Sequence, residues 1–203
     1  MKKTTILIDG GHLRSYAKLA QKTYTPQFVL DVAKKCLDQD EKLFRVIYYD
    51  CTPYTGTVKT QISGTSKKYT GNDSFLNNLA EQEFVAVRKG VLKFRGWTRT
   101  PASISAHDLA AKAGNPAPVL TDQDFKPNFE QKGVDLRIGL DMINNNLSSS
   151  DLMILMTGDT DLIPALKIVR TKGIQVAGVN LPNYQIIPEL KQHLDIYRTV
   201  TNW

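Results

Sequence analysis

The chain has 203 residues, of which 41% are hydrophobic and 23% are charged, and its formal net charge is +6. This composition is typical of a globular protein and excludes a disordered chain, and no apolar run has the length of a membrane span or of a signal-peptide core. We therefore expect one domain, residues 1–203, located in the cytoplasm. The excess of basic residues suits an enzyme that processes polyanions.

The first third of the chain alternates apolar runs with segments of helical periodicity. The predicted elements are a strand at 4–9, helices at 12–21 and 27–37, a strand at 43–50, an exposed loop at 52–70 and a helix at 72–82. The loop prediction rests on the Thr, Ser, Gly and Lys content of that stretch. Cys36 follows Phe28 and Val32 at helical intervals, which indicates a reduced core thiol.

The middle of the chain is less regular. Residues 84–97 have alternating apolar positions around Lys89 and Gly90, which is typical either of one long strand or of a hairpin that turns there. Residues 98–131 contain a short helical piece near 104–113 and several prolines. We interpret 98–131 as an excursion from the core, and connections of this length are often functional.

The last third returns to regular alternation. The predicted elements are a helix at 132–143, a strand at 151–157, a helix at 162–172, a strand at 174–179 and a helix at 185–194. Strands that alternate with helices predict an α/β fold, a three-layer sandwich with a mostly parallel central sheet. In such folds, binding sites form at the carboxyl ends of the strands.

Aspartates occupy that edge of the predicted sheet. Asp9 and the pair Asp159 and Asp161 directly follow predicted strands, and Asp135 lies in the first turn of a helix. Converging carboxylates suit Mg²⁺ or Mn²⁺, which in phosphodiester hydrolysis neutralises the phosphate and activates a water.

Each of these acids also has a structural explanation. Asp9 can be a turn residue or a helix cap, Asp161 can cap the following helix, and the helix dipole favours Asp135 whatever its function. Two further aspartates, Asp50 and Asp141, are better explained by structure than by chemistry. Only convergence of the four acids makes a metal site persuasive.

Five segments, in chain order, form a specific pattern. They are ILIDGGHLR, YYDCTPY, FLNNLAEQEFVAVRKGVL, QKGVDLRIGLDM and TGDTDLIPALKIVRTKGIQVAGVN. The combination of KGVD with a downstream TGDTD is more specific than either motif alone. On these residues the chain resembles an NYN domain of the LabA-like type, within the PIN-like nuclease superfamily. The resemblance extends from about Ile6 to about Thr199, and is weaker over 55–70 and 98–131.

The resemblance implies a PIN-like sandwich similar to Rossmann and flavodoxin folds, an aspartate-held Mg²⁺ or Mn²⁺ site, and ribonuclease activity on single-stranded or structured RNA. It assigns catalytic and metal-binding roles to Asp9, Asp135, Asp159 and Asp161, the last directly or through water. One departure is His12, where many members have Asn. An imidazole there can contact a phosphate, assist proton transfer, or serve only in capping or packing.

Basic and aromatic residues interleave in the predicted strand at 84–97 and just beyond it. Arg88, Lys93 and Arg95, together with Trp97, can form a cationic groove with a stacking platform for RNA, and Lys132 is a candidate phosphate contact. The alternative is an ordinary solvated strand face. The sequence is also compatible with a homo-oligomer.

Two other functions compete with a ribonuclease. A phosphatase of the haloacid dehalogenase type also joins strand-end acids to Mg²⁺, but it requires an Asp-x-Asp arrangement after the first strand, and here Asp9 is followed by Gly10 and Gly11. The more serious alternative is a catalytically weak or inactive RNA-binding or assembly module of the same fold.

Overall fold

The computed structural model describes residues 1–144 and 149–202. Its strands and helices, in chain order, are β1 (Lys2–Asp9), α1 (Gly10–Leu19), α2 (Pro26–Lys35), β2 (Glu41–Thr52), β3 (Gly56–Lys59), β4 (Ser66–Tyr69), α3 (Ser74–Ala80), β5 (Val85–Arg99), α4 (Pro101–Lys112), β6 (Phe125–Lys132), α5 (Val134–Ile143), β7 (Leu152–Met156), α6 (Ile163–Thr171), β8 (Gln175–Asn180), α7 (Pro188–Lys191) and β9 (Ile196–Thr199). No helix in these ranges is long and apolar enough to cross a membrane.

The chain forms two compact units. The core unit comprises Met1–Cys51, Asp73–Gly90 and Gly133–Trp203, and the inserted unit comprises Thr52–Asn72 and Val91–Lys132. The expectation of a single domain over residues 1–203 stays a prediction.

Parallel strands form the centre of the core unit. β1 pairs in parallel with β2 and β7, and β8 joins β7 to β9. Leu7 of β1 lies opposite Ile47 on one side and Leu155 on the other, and all three are buried. Continuous apolar runs are typical of parallel strands that are covered on both faces. With β5 and β6, these strands make a seven-stranded, mostly parallel sheet in the order β6-β5-β2-β1-β7-β8-β9, which confirms the predicted α/β class.

Helices cover both faces of this sheet. The hydroxyl of Tyr48 in β2 lies 3.5 Å from Nη2 of Arg14 in α1. The next residue, Tyr49, donates its hydroxyl to Asp141 in α5 at 3.0 Å. Because consecutive strand residues point to opposite faces, α1 and α5 lie on opposite sides of β2. This arrangement confirms the predicted three layers.

Local sequence signals explain where the first helices begin. The Asp9 side chain caps α1 by accepting from the backbone N–H of His12 at 3.1 Å. Thr25 caps α2 in the same way, accepting from Phe28 at 3.1 Å, and Pro26 occupies the first turn. Side-chain caps of this kind pair backbone donors that otherwise lack a partner at a helix start.

A buried ion pair joins Arg198 in β9 to Glu41, the first residue of β2. The Arg198 side chain is 8% exposed and the Glu41 side chain only 2%. Arg198 Nη1 donates to Glu41 Oε2 at 2.7 Å, and Nη2 pairs with the other carboxylate oxygen. Asp38 lies 3.3 Å from the same guanidinium, but its side chain is 69% exposed.

The structure corrects three of the sequence predictions. The loop expected at 52–70 contains the antiparallel hairpin β3–β4. The excursion expected at 98–131 contains the predicted helical piece, as α4, but it also contains most of β6, a strand that was not predicted and that pairs antiparallel with β5. The helix expected at 185–194 is confined to Pro188–Lys191, and β9 follows it. These short strands lack a strong apolar alternation of their own, and pairing with another strand stabilises them.

Aromatic rings form the centre of the inserted unit. β5 is one long strand rather than a hairpin, and its register shifts between Phe94 and Trp97, where Gly96 adopts a φ of 98°. This bulge places Phe94 and Trp97 on one face, with ring centroids 5.6 Å apart. Tyr54 and Tyr69 complete the cluster around Phe129, at 5.2 and 5.5 Å from its ring.

The net charge is concentrated in the inserted unit. Its two segments contain nine Lys and Arg against four Asp and Glu, a net charge of +5 out of the total of +6. The core unit, with 17 basic and 16 acidic residues, is nearly neutral. The inserted unit is therefore the part of the chain that is best suited to a polyanion.

Candidate functional site

Asp9 stands at the carboxyl end of the central strand β1. Besides capping α1, its carboxylate accepts a hydrogen bond from the Thr157 hydroxyl at 3.3 Å. Burial raises the pKa of Asp9, against hydrogen bonds from the backbone of His12 and Gly11 and from Thr157, and the negative charge of Asp159 raises it further. Asp9 is thus both a helix cap and a member of an acidic site.

Thr157 joins Asp9 to the second acidic segment. Its buried side chain follows β7, and the hydroxyl that donates to Asp9 also accepts from the backbone N–H of Asp159 at 3.2 Å. Asp159 in turn accepts from the backbone N–H of Asp161 at 2.9 Å. Asp159, not Asp161, therefore caps the single 3₁₀ turn Thr160–Leu162 that precedes α6.

Asp135, in the KGVD motif, is the fourth acid of the group. It lies in the first turn of α5, with its side chain only partly withdrawn from water. Its pKa is raised by this partial burial and then by the negative charges of Asp159, Asp9 and Asp161. The charge of Asp159 therefore acts on both Asp9 and Asp135, as the carboxyl ends of strands in an α/β sheet allow.

The chemistry of these side chains suits a hard divalent cation, but their arrangement among the described residues does not form a metal site. All four side chains offer carboxylate oxygens, the ligands that Mg²⁺ and Mn²⁺ prefer, and a cation would relieve their mutual repulsion. Within residues 1–144 and 149–202, no group of three or more His, Cys, Asp or Glu side chains is arranged to hold a metal ion.

Sequence comparison gives the family. The sequence model of the NYN domain matches residues 3–199. This chain belongs to the NYN domain family. NYN domains belong to the PIN-like superfamily and are generally nuclease-like, so the resemblance found in the sequence is confirmed. The LabA-like type stays a prediction.

One solved structure resembles this NYN domain. It is the crystal structure of a protein of unknown function from Vibrio parahaemolyticus, which is 14% identical with a TM-score of 0.47. The alignment covers 99% of this chain and 94% of the Vibrio chain. No curated protein matches the sequence.

His12 of this NYN domain packs against two tyrosines. Its ring meets Tyr184 edge to face at 4.5 Å and Tyr16 at 4.9 Å, and Nε2 is buried with no hydrogen-bond partner in the described ranges. Burial lowers the pKa of His12 to about 4, so the ring is neutral at pH 7. This geometry favours the packing interpretation over a cationic phosphate contact. A side chain at Gly158 would lie 3.2 Å from the ring, so a glycine suits this position.

The two aspartates for which structural roles were expected both have protein partners. Asp50 is buried, pairs with Arg14 and accepts the Tyr48 hydroxyl at 3.1 Å. Asp141 accepts from Arg88 at 3.1 Å as well as from Tyr49.

The predicted RNA-binding residues are divided between the two units. Arg88 belongs to the core unit and pairs with Asp141. In the inserted unit, Arg95 and Lys132 both pair with Glu130, and Lys93 is exposed. Trp97 donates its indole N–H to the Lys59 carbonyl at 2.8 Å, so only the ring faces are available for stacking.

Sequence reasoning missed two residues beside the acids. Thr157 is the first residue of the TGDTD motif, and its position beside a paired-acid loop was an available signal. Arg14 carried no such signal, because it lies in α1 while its partners Tyr48 and Asp50 lie in β2, far away in the sequence.

Proposed function

We propose that this NYN domain is a metal-dependent ribonuclease whose site consists of Asp9, Asp135, Asp159 and Asp161. The observation that carries the proposal is the pair of hydrogen bonds on the Thr157 hydroxyl, to the Asp9 carboxylate at 3.3 Å and from the Asp159 backbone N–H at 3.2 Å, because they link acids at two strand ends. The charges of Asp159, Asp9 and Asp161, which add to the effect of burial in raising the pKa of Asp135, support its place in the same group. Family membership supports nuclease chemistry, and RNA is the substrate that the family suggests.

The four aspartates have different tasks in this proposal. Asp9, Asp135 and Asp159 would hold Mg²⁺ or Mn²⁺ directly, and Asp161 directly or through water. The bound cation would neutralise the phosphate and supply an acidified water. Thr157 would orient Asp9 and Asp159 relative to each other through its two hydrogen bonds. No serine or cysteine nucleophile is needed.

We further propose that basic residues of the inserted unit hold single-stranded or structured RNA. Lys93 offers an exposed cation, and the ring of Trp97 offers a partner for an unpaired base. Lys67 lies over the Trp97 ring at 5.9 Å, so positive charge and aromatic surface meet at one place. Arg88, Arg95, Lys132 and His12, in view of their contacts, are weaker candidates.

The experiment is cleavage of a labelled, mixed-sequence single-stranded RNA with Mn²⁺, Mg²⁺ or EDTA. The wild type is compared with Asp159→Asn and with Asp31→Asn, a matched control in which the same change is made at an exposed residue of α2. We expect cleavage that requires metal, falls about 100-fold or more in Asp159→Asn and is unchanged in Asp31→Asn.

Two results would contradict the nuclease proposal. Equal cutting by wild type and Asp159→Asn would mean that the activity comes from another site or from a contaminant. RNA binding without any metal-dependent cleavage would favour the catalytically weak or inactive RNA-binding or assembly module. The cytoplasmic location and a homo-oligomeric state stay predictions.

A further inference from the structure

A network of polar side chains lies beneath the start of α1, directly beside the acidic site. Its centre is the buried carboxylate of Asp50, which pairs with the Arg14 guanidinium and accepts the Tyr48 hydroxyl. The Tyr24 and Tyr48 hydroxyls lie 3.0 Å apart, and the Tyr24 ring lies 5.6 Å from the Arg14 guanidinium carbon. Two residues of β2 and one residue of the loop after α1 thus contribute to the position of one arginine.

Gly10 allows this network to approach Asp9. A Cβ atom at Gly10 would come within 2.3 Å of the Tyr48 hydroxyl and 2.9 Å of Asp50 Oδ2. Gly10 directly follows Asp9, so the network lies against the backbone of a candidate metal ligand. The charges of both Asp9 and Arg14 act on the pKa values of Tyr24 and Tyr48, which places the two charged groups near the same pair of hydroxyls.

Arg14 presents an outward edge that the network does not use. Its side chain is 47% exposed, whereas the Asp50 side chain is 4% exposed. Only Nη2 contacts Asp50 and Tyr48, and in the described ranges Nε and Nη1 have no acceptor. A guanidinium that is held at one nitrogen and partly exposed is preorganised for a second anion, and Nε or Nη1 can donate to a phosphate oxygen.

We propose that Arg14 binds a phosphate of the RNA backbone next to the aspartate site. The proposal rests on the proposed function for its ligand, since RNA is the polyanion that brings a phosphate to these acids. Asp50, Tyr48 and Tyr24 act as positioning residues, because they fix the guanidinium and are themselves covered. Arg14 also puts a partly exposed positive charge in the helix that Asp9 caps, which lowers the cost of bringing a phosphate there.

The test measures RNA binding and cleavage separately in three variants. Arg14→Lys keeps a cation for Asp50 but removes the additional N–H donors that a guanidinium has on its other nitrogens. Arg14→Gln and Lys18→Gln form a matched pair, because each removes one positive charge from α1 and Lys18 lies one turn further along. Binding of a labelled single-stranded RNA is measured in EDTA at several salt concentrations, and kcat and KM are measured with metal. Thermal unfolding checks that each variant folds.

We expect Arg14→Lys to raise both Kd and KM about tenfold while kcat changes less than about twofold. Arg14→Gln should reduce the slope of log K against log salt by about one, and Lys18→Gln should leave both Kd and slope close to those of the wild type. A Kd for Arg14→Lys within twofold of the wild type, in a folded protein, would overturn the proposal. Equal effects of Arg14→Gln and Lys18→Gln would overturn it as well.

These outcomes are distinguishable from failure of the nuclease proposal. If the wild type cleaves RNA, Asp159→Asn does not, and the Arg14 variants match the wild type, the Arg14 proposal alone fails. If the wild type binds but never cleaves, and binding depends on Arg14, the nuclease proposal alone fails.

Discussion

The buried pair between Glu41 and Arg198 permits a sharp test of how this fold is stabilised. Replacing Glu41 with Gln keeps the shape of the side chain but removes its charge. Gln can still accept one hydrogen bond from Arg198, while its amide nitrogen would face a second guanidinium N–H. The mutation would therefore leave a guanidinium that is 8% exposed without a buried counter-charge.

The expected loss is large because both partners are desolvated. Breaking a buried ion pair by neutralising one partner costs about 3–5 kcal/mol in free energy of unfolding. Asp38→Asn is the matched control, because Asp38 contacts the same guanidinium from a side chain that is 69% exposed. An exposed pair contributes about 0–1 kcal/mol, so the two substitutions should differ severalfold.

Urea unfolding followed by circular dichroism measures the difference. With a slope of roughly 3 kcal/mol per M, Glu41→Gln should lower the urea midpoint by about 1–1.5 M at pH 7, and Asp38→Asn by less than about 0.3 M. Equal shifts in the two variants, or a shift for Glu41→Gln below about 0.3 M, would refute the claim that this pair is a major stabilising contact.

The same pair gives a pH dependence of known sign. Burial disfavours the charged form of Glu41, but the hydrogen bonds and charge of Arg198, with a backbone hydrogen bond from Asp38, outweigh it and lower its pKa from 4.5. A lowered folded-state pKa stabilises the fold above the unfolded value and loses that effect as pH falls through the folded value. The gap between wild type and Glu41→Gln should therefore be full at pH 7 and shrink below about pH 4.5.

Two further predictions concern the surroundings of the acidic site. Gly10→Ala should destabilise the fold by about 1–3 kcal/mol, because the new methyl group would overlap the Tyr48 hydroxyl, whereas Gly139→Ala in α5 should be neutral or stabilising, since its Cβ would lie 3.6 Å from Leu162. Thermal melts of both variants check this, and equal melting temperatures would contradict it. His12→Asn should leave the shape of the pH–rate profile between pH 6 and 8 unchanged, because the pKa of His12 near 4 keeps the ring neutral there. Loss of a limb near pH 6.5 in this variant would instead show that His12 titrates during turnover.

The parts of the fold that sequence reasoning predicted are those with a strong local signal. β7 is a continuous apolar run and β1 contains the apolar stretch ILI, and such runs are typical of buried strands in an α/β sheet. β4 and β6 have the opposite character. SKKY and FKPNFEQK contain few apolar residues, and their strand conformation depends on partners that no local pattern identifies.

The candidate site, like the fold, was predictable only in part. The topology rule for parallel sheets placed Asp9, Asp159 and Asp161 at one edge before any coordinates were considered. The rule does not say which partner a carboxylate has. The rule alone therefore did not distinguish Asp50 from the four acids of the candidate site. That distinction depends on Arg14, which is 36 positions away in the chain and reaches Asp50 only once α1 packs on β2.

The uneven distribution of charge has a consequence for how this NYN domain can diversify. The core unit carries a net charge of +1 and contains the four acids, whereas the inserted unit carries +5 and none of them. Substitutions in 52–72 or 91–132 can therefore change the attraction for a polyanion while the carboxylate geometry stays constant. Affinity for a polyanion and the arrangement of the four acids would then be adjustable by separate sets of mutations.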